Sequence, residues 1–239
     1  MKVGIAGYGV VGKIRHRSIE SNTSYQVTAI SESNKEAQEF IPAGIEVYND
    51  YKSLIANADI DLIFISLPNQ FAAEAACLSL QNGLHVFCEK PPARTHAELL
   101  EVEKQSLKFP ELKLMYGFNH RFHLSVEEAK LLIDSNSLGR LINMKGVYGK
   151  SQMISFNQTD WRTNREASGG GILLDQGIHM LDLMRYLSGE NFTEVFSIID
   201  NAFWNFDVED NAYVLMKSPK GLVSQLHSSA TQWRHVFNL

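Results

Sequence analysis

A carboxylate and an imidazole four residues apart, Asp175 and His179, follow directly on the run Ser168-Gly169-Gly170-Gly171. On an α-helix that spacing stacks the two side chains on one face. A carboxylate that holds an imidazole fixes its tautomer for proton transfer. Most pairs at this spacing are surface pairs, so this one gains weight only from the rest of the chain. Upstream, Lys90 precedes Pro91 in Cys88-Glu89-Lys90-Pro91-Pro92. An ammonium held at a strand end donates to an oxygen on which charge develops. Taken alone, a lysine before proline is a solvated turn residue. The N-terminus carries the third feature, Gly7-Tyr8-Gly9-Val10-Val11-Gly12 straight after the apolar run Lys2–Ala6. A G-x-G-x-x-G between strand and helix brings backbone N–H groups close to a pyrophosphate. Gly7, Gly9, Val10, Val11 and Gly12 are therefore candidate cofactor contacts. Glu32 stands twenty residues past Gly12. A carboxylate there accepts hydrogen bonds from an adenosine ribose and repels a 2′-phosphate, so NAD is expected rather than NADP. A nicotinamide enzyme acting on an alcohol needs a proton acceptor, and His179 is the candidate.

These residues need a frame. Apolar runs at Tyr25–Ile30, Asp61–Leu67, Leu84–Cys88 and Leu112–Phe118 alternate with helical stretches at about 10–21, 70–81 and 95–107, the last capped by Thr95. Strands that alternate with helices predict a doubly wound parallel sheet over residues 1–119. The loop Ser66-Leu67-Pro68-Asn69 then falls at the carboxyl edge of that sheet, where ligands bind. Ser66, Pro68 and Asn69 are further cofactor candidates, or merely a strand terminator. Beyond Asn119 the pattern changes to a helix at 125–135, a strand at 141–150, a polar loop at 151–165 and a helix at 171–187. In that last helix Leu173, Leu174, Ile178, Leu181 and Met184 are expected in the core. Asp182 is expected to be a structural partner. Strands at 194–205, 211–217 and 222–231 follow, the last two joined as a hairpin through Ser218-Pro219-Lys220-Gly221. Residues 120–239 thus read as an α+β substrate-binding domain on an open, largely antiparallel sheet.

Composition bounds the partners. With 239 residues and a net charge of −5, the chain is long enough for two cores and shows no basic surface for nucleic acid. The cluster Lys13, Arg15, His16, Arg17 is too small to change that. No apolar run reaches the ~18 residues of a membrane helix. A first strand at Lys2 leaves no room for a signal peptide, and the cytoplasm is expected. Cys77 and Cys88 make no disulfide framework and read as buried thiols. No metal is expected.

The motifs GYGVVG, CEKP, GFNHRF (Gly117–Phe122) and GGGILLDQGIH occur in that order. In this the chain resembles the Gfo/Idh/MocA oxidoreductases, named for glucose–fructose oxidoreductase and inositol dehydrogenase, over essentially its whole length. The resemblance implies a Rossmann domain followed by an open-sheet α/β domain. It implies a triad of Lys90, Asp175 and His179, in which His179 takes the hydroxyl proton, Lys90 polarises the oxygen and Asp175 orients or relays. Hydride would pass between the substrate carbon and the nicotinamide, with Glu89, Lys90 and Asn119 also near the cofactor. It also implies a cis bond at Lys90–Pro91. Two positions depart from the family pattern: Ala72 and Arg15 stand where many members carry histidine. Arg15 is left as a pyrophosphate contact or a solvated helix residue.

On the substrate side, Lys90, Asp175, His179, Arg121 and Arg162 are the candidates. Arg121 reads alternatively as a structural arginine, and Arg162 as part of a surface loop. Asp160-Trp161-Arg162 offers an aromatic face and a guanidinium, suited to a sugar or nucleotide-linked sugar. The tract Phe203–Asp210 reads as sheet core and turn. The expected function is an NAD-dependent sugar or inositol dehydrogenase. Its alternatives are a catalytically silent NAD-binding sensor and, disfavoured by Glu32, an NADP-linked reductase. Members of this family run longer, so the chain is expected to be a C-terminally truncated form. Residues 222–231 or 233–239 would then form an exposed sheet edge, whereas a full-length chain is expected to be a homo-oligomer.

Overall fold

The computed structural model describes residues 1–152 and 161–239, in two units, Met1–Gly117 and Phe118–Leu239. The first unit runs β1 (Lys2–Ala6), α1 (Val10–Glu20), β2 (Gln26–Ser31), α2 (Lys35–Gln38), β3 (Glu46–Tyr48), α3 (Tyr51–Asn57), β4 (Leu62–Ile65), α4 (Asn69–Gln81), β5 (His85–Cys88), α5 (His96–Ser106) and β6 (Leu114–Tyr116). All six strands are parallel, in the order β3-β2-β1-β4-β5-β6. This is the doubly wound order in which strand succession reverses between β1 and β4. β1 is buried on both faces, as a parallel strand covered by helices must be. Val3, Ile5, Ile19 and Ile30 fill one core, and Leu54, Ile63, Leu80 and Val86 another.

Local chemistry sets the helix starts. Thr95 accepts a hydrogen bond from the Glu98 N–H at 3.2 Å and caps α5. Asn34 caps α2 and Asp50 caps α3 in the same way. The segment α2–β3–α3, absent from the element reading above, is built from pieces of three to seven residues. Such pieces are too short to show periodicity, and their caps were the only local signal. At α1 the cap residue is Gly9, with no side chain bonded to the first-turn N–H groups and no acidic residue in that turn.

The second unit contains a 3₁₀ turn (Asn119–Phe122), α6 (Leu124–Asp134), β7 (Asn143–Gly149), a second 3₁₀ turn (Trp161–Thr163), α7 (Arg165–Ser168), a π-helical turn (Leu173–Gly177), α8 (Ile178–Ser188), β8 (Glu194–Asp200), β9 (Asn211–Lys217), β10 (Val223–Ser229) and β11 (Val236–Asn238). The sheet order is β11-β7-β10-β9-β8, with β7 and β10 parallel and the other pairs antiparallel. Met144, Met180, Met184, Met216 and Leu226 form the core between α8 and the sheet.

Three expectations change here. The helix expected at 171–187 is a π turn followed by an α-helix, which shifts the phase of the buried face. Ile172, Met180, Leu183, Met184 and Leu187 are buried, whereas Leu173, Leu174, Ile178 and Leu181 are half-buried. The strand expected at 194–205 stops at Asp200. The Asp210 carboxylate draws the backbone N–H groups of Ala202, Phe203 and Trp204 into a turn at 2.8–3.0 Å. The 222–231 strand, expected as a possible edge, lies inside the sheet between β7 and β9, and β8 and β11 are the edges. The β9–β10 hairpin forms as expected, with Gly221 at φ +90° and Ser218 Oγ accepting from the Leu222 N–H.

Candidate active site

In the first unit the three motif glycines serve three different ends. Gly7 has φ +88°, and a Cβ there would sit 2.6 Å from the Ser66 carbonyl oxygen. A Cβ on Gly12 would sit 2.1 Å from the Gly7 carbonyl oxygen, so helix and strand pack this closely only without a side chain. At Gly9 a Cβ would meet no protein atom within 4 Å, so nothing in the protein itself demands glycine there. Close approach of a pyrophosphate does. Glu32 follows β2, and its two carboxylate oxygens accept from the Tyr8 N–H at 3.0 Å and the Asn34 N–H at 2.9 Å. The carboxylate is thereby fixed beside the glycine loop, with lone pairs left for a ribose diol. Ser66 ends β4 with its Oγ buried and without a partner among the described residues. These features fit NAD. Asn69 is buried at the start of α4, and Asn119 is exposed in the second unit.

Lys90 follows β5, and the Lys90–Pro91 bond is cis, as expected. Arg15 is half-buried in an ion pair and is not a solvated helix residue. Its Nε donates to Glu89 Oε1 at 2.6 Å, and its guanidinium lies 5.2 Å from the Phe87 ring centroid. A Cβ on Gly117 would lie 2.8 Å from Glu89 Oε2, so the carboxylate is packed between Arg15 and Gly117. The residue preceding Lys90 is thus held from two sides.

In the second unit the GGG run has a mechanical explanation. Gly169 takes φ +84° and ends α7. A Cβ on Gly171 would meet the Glu209 carbonyl oxygen at 2.0 Å. Glu209 accepts from the Gly171 and Leu173 N–H groups at 2.9 and 3.2 Å, placing a carboxylate at the start of the π turn. Gly177 packs on β10, where a Cβ would touch Ser228 at 2.9 Å. Asp175 lies in the π turn and His179 one turn on in α8. Turns of this kind are found inside helices at functional positions. Gln176 Nε2 donates to Asp175 Oδ2 at 2.6 Å, and Lys150 Nζ is 3.7 Å from the same oxygen.

His179 is 5% exposed. The His120 ring stacks on it, with centroids 4.2 Å apart and planes 11° from parallel. Phe118 meets His179 edge-on at 6.1 Å, and Tyr148 and Phe237 flank His120 at 5.7 and 5.0 Å. Burial, and then the Asp175 charge, push the Tyr148 phenol up, which keeps it neutral. Arg121, a candidate substrate contact or structural arginine, forms an ion pair within the second unit. Its Nε and Nη2 donate to the two oxygens of Asp182 at 2.7 and 2.5 Å, which makes Asp182 the structural partner expected. Arg162 lies over the Trp161 ring at 4.4 Å, and Asp160 falls outside the described residues. Sequence reasoning missed His120, Tyr148, Phe237 and Glu209. His120 lay inside the GFNHRF motif, but nothing in a single sequence marks ring stacking. The acidic pair after Phe206 was the only trace of Glu209.

A six-stranded parallel sheet with this glycine loop and ribose carboxylate defines the first unit as a dinucleotide-binding domain of the oxidoreductase type. The family model described as an oxidoreductase family with an NAD-binding Rossmann fold matches residues 1–116, and that of the GFO/IDH/MocA C-terminal domain matches residues 126–237. The chain belongs to the Gfo/Idh/MocA oxidoreductase family. Levoglucosan dehydrogenase of Pseudarthrobacter phenanthrenivorans is 31% identical over 202 residues, which are 80% of this chain and 52% of that protein. D-glucoside 3-dehydrogenase of Escherichia coli is 30% identical over 214 residues, 85% of this chain and 58% of that protein. A solved levoglucosan dehydrogenase in complex with NADH matches with a TM-score of 0.90 at 26% identity, over 99% of this chain and 69% of that one. The chain spans about half the length of the first curated relatives it matches.

Proposed function

We propose that this chain belongs to an NAD-dependent dehydrogenase that oxidises a secondary alcohol of a sugar or cyclitol ring. The observation that carries the proposal is the buried imidazole of His179, one turn beyond Asp175, in a chain whose other half is an NAD-binding Rossmann fold. Bound NAD supplies the hydride acceptor. Lys90 donates to the substrate oxygen as negative charge grows on it. His179 accepts the hydroxyl proton, and the Asp175 carboxylate stabilises the resulting imidazolium. Glu32 selects NAD over NADP through the ribose diol. Gly7, Gly9, Val10, Val11, Gly12, Ser66, Pro68, Asn69, Glu89 and Asn119 complete the cofactor set in this proposal. The Trp161–Arg162 pair supports an arm of the substrate range that includes nucleotide-linked sugars. The relatives' names, with levoglucosan, glucoside and inositol as substrates, support the ring polyol class.

The test mixes purified protein and NAD with a panel of sugars, cyclitols and UDP-sugars and follows absorbance of the reduced nicotinamide. Turnover is expected with a ring polyol, and His179→Ala should lower it at least ~10²-fold. Tight NADH binding with no turnover on any member of the panel would instead identify a sensor.

We further propose that the protein self-associates through the solvent face of the second sheet. Phe196, Ile198, Tyr213, Leu215 and Val223 are all exposed there, on register positions that share one face. An apolar stripe of this kind marks an interaction surface. Among the described residues no helix is long and apolar enough to cross a membrane. Cys77 and Cys88 are both free thiols, which supports a reducing cytoplasm.

A further inference from the structure

We infer that His120 is a positioning residue for His179, and that the two stacked imidazoles titrate as a coupled pair, each ring disfavouring a proton on the other. The identification of His179 as the base rests on the function proposed above; the coupling of the two rings does not. The placement is built by the ion pair next to it. Arg121 is clamped to Asp182, one turn beyond His179 on α8, and this fixes the 3₁₀ turn Asn119–Phe122 against the helix. His120, the adjacent residue, is thereby laid flat on His179 at 4.2 Å. Phe237 of β11 closes on His120 edge-on, and Tyr148, its cross-strand neighbour, flanks the same ring. The stack restricts tilting of the His179 ring and holds its plane.

Two imidazolium charges at this distance repel in a site that water barely enters. Proton binding to one ring therefore disfavours binding to the other, and the pair titrates in two separated steps. Other titratable and charged groups of this unit lie around the pair. On the same 3₁₀ turn and its end, Arg121 is neutralised by Asp182, and His123 meets His120 edge-on at 5.2 Å. On the π turn, Asp175 faces Lys150 of the segment after β7. Tyr148 stays neutral, and His235 lies against Tyr148 at 5.8 Å. While both rings are neutral His179 can accept a proton, and the face of the neutral His120 ring then meets the imidazolium as it forms.

The full chain carries eight histidines, few enough for site-resolved NMR with ¹³C-labelled histidine. The two rings are assigned from His120→Phe and His179→Gln. In the wild-type chain both signals should titrate in two steps separated by more than about one pH unit. His120→Phe keeps a stacked ring but no second proton site, and His179 should then titrate in one step. Should that variant melt far below wild type, His120→Asn replaces it, and the wild-type curve remains decisive by itself. A single-step wild-type curve for His179, unmoved by either variant, overturns the inference. If a ring polyol is turned over, the acid limb of kcat should also move in His120→Phe while KM for NAD holds. A two-step curve in a chain that turns over no polyol would leave the coupling standing and refute the proposed activity instead.

Discussion

Replacing Gly171 by alanine drives a methyl carbon to 2.0 Å from the Glu209 carbonyl oxygen, and to 2.9 Å from the Glu209 nitrogen and carbonyl carbon. All three are backbone atoms, so no flexible side chain can swing aside. Relief requires the two segments to part by about 1 Å, to reach the shortest separation that packed carbon and oxygen atoms tolerate. That movement stretches three hydrogen bonds at once. They are Ile172 N–H to Glu209 O at 3.0 Å, and the Gly171 and Leu173 N–H groups to the Glu209 carboxylate at 2.9 and 3.2 Å. The neutral bond contributes roughly 1 kcal/mol and each bond to the carboxylate roughly 1.5–3 kcal/mol, so the variant should lose about 4 kcal/mol or more. For a unit of this size that corresponds to a fall in Tm of roughly 10–20 °C. Trp161, Trp204 and Trp233 are the only tryptophans and all belong to the second unit, so a tryptophan-fluorescence melt reads that unit alone. Gly170→Ala is the control. Its Cβ would lie 3.2 Å from the Leu174 side chain and 3.8 Å, an ordinary contact, from Glu209 Oε1, and the cost should stay within about 1 kcal/mol. If Gly171→Ala melts within about 3 °C of wild type, the Glu209 clamp is not what holds the start of the π turn.

The glycine loop offers a paired test. Gly9→Ala should leave the melt of the first unit unchanged and weaken NADH at least about tenfold, whereas Gly12→Ala should lower both the melt and NADH binding, as fluorescence titration and calorimetry would show. Acid sensitivity should trace in part to Asp210. Burial alone would raise its carboxyl, but the N–H groups of Trp204, Ala202 and Phe203 and the Asn211 amide outweigh it, and the net effect is downward. A carboxyl lowered in the folded state adds stability that is complete above its unfolded value near pH 4 and is lost as pH falls toward the lowered one. Denaturant unfolding of Asp210→Asn should therefore show lower stability at pH 7 and a shallower decline below pH 4. An unchanged acid slope would exclude Asp210 as the source.

The parallel sheet was legible because its strands are continuous apolar runs with helices between them, and the chemistry because GYGVVG, CEKP and DQGIH are local strings. What escaped depends on partners distant in sequence. The π turn between Gly171 and His179 follows from Glu209, 36–38 residues away, and from the close approach of Gly177 to Ser228. A helical pattern read over 171–187 carries no sign of either contact. Arg121 offered its charge to a substrate or to a structural partner, and only the folded chain shows that Asp182 pairs with it. Arg15 likewise finds Glu89, 74 residues on. His120 is one imidazole in a polar string until the clamp beside it sets it on His179. Of the tail read as a strand at 233–239 only Val236–Asn238 forms one, and that Phe237 reaches the imidazole cluster depends on pairing with β7.

Cys88 closes β5 two residues before Lys90, fully buried, with its Sγ 3.4 Å from the Glu89 carbonyl oxygen. Burial, and then the Glu89 charge, push its thiol far up, so the reactive thiolate is almost absent while the strand end is closed. A thiol reagent can therefore reach Cys88 only during excursions that expose the end of β5, and its labelling rate becomes a clock for those openings. Cys77, half-buried on α4, supplies a faster reference within the same unit. The chain thus carries its own reporter at the base of the Lys90 turn. Slower labelling of Cys88 with added NAD, at a steady Cys77 rate, would measure how much the cofactor stills the strand end that presents this lysine.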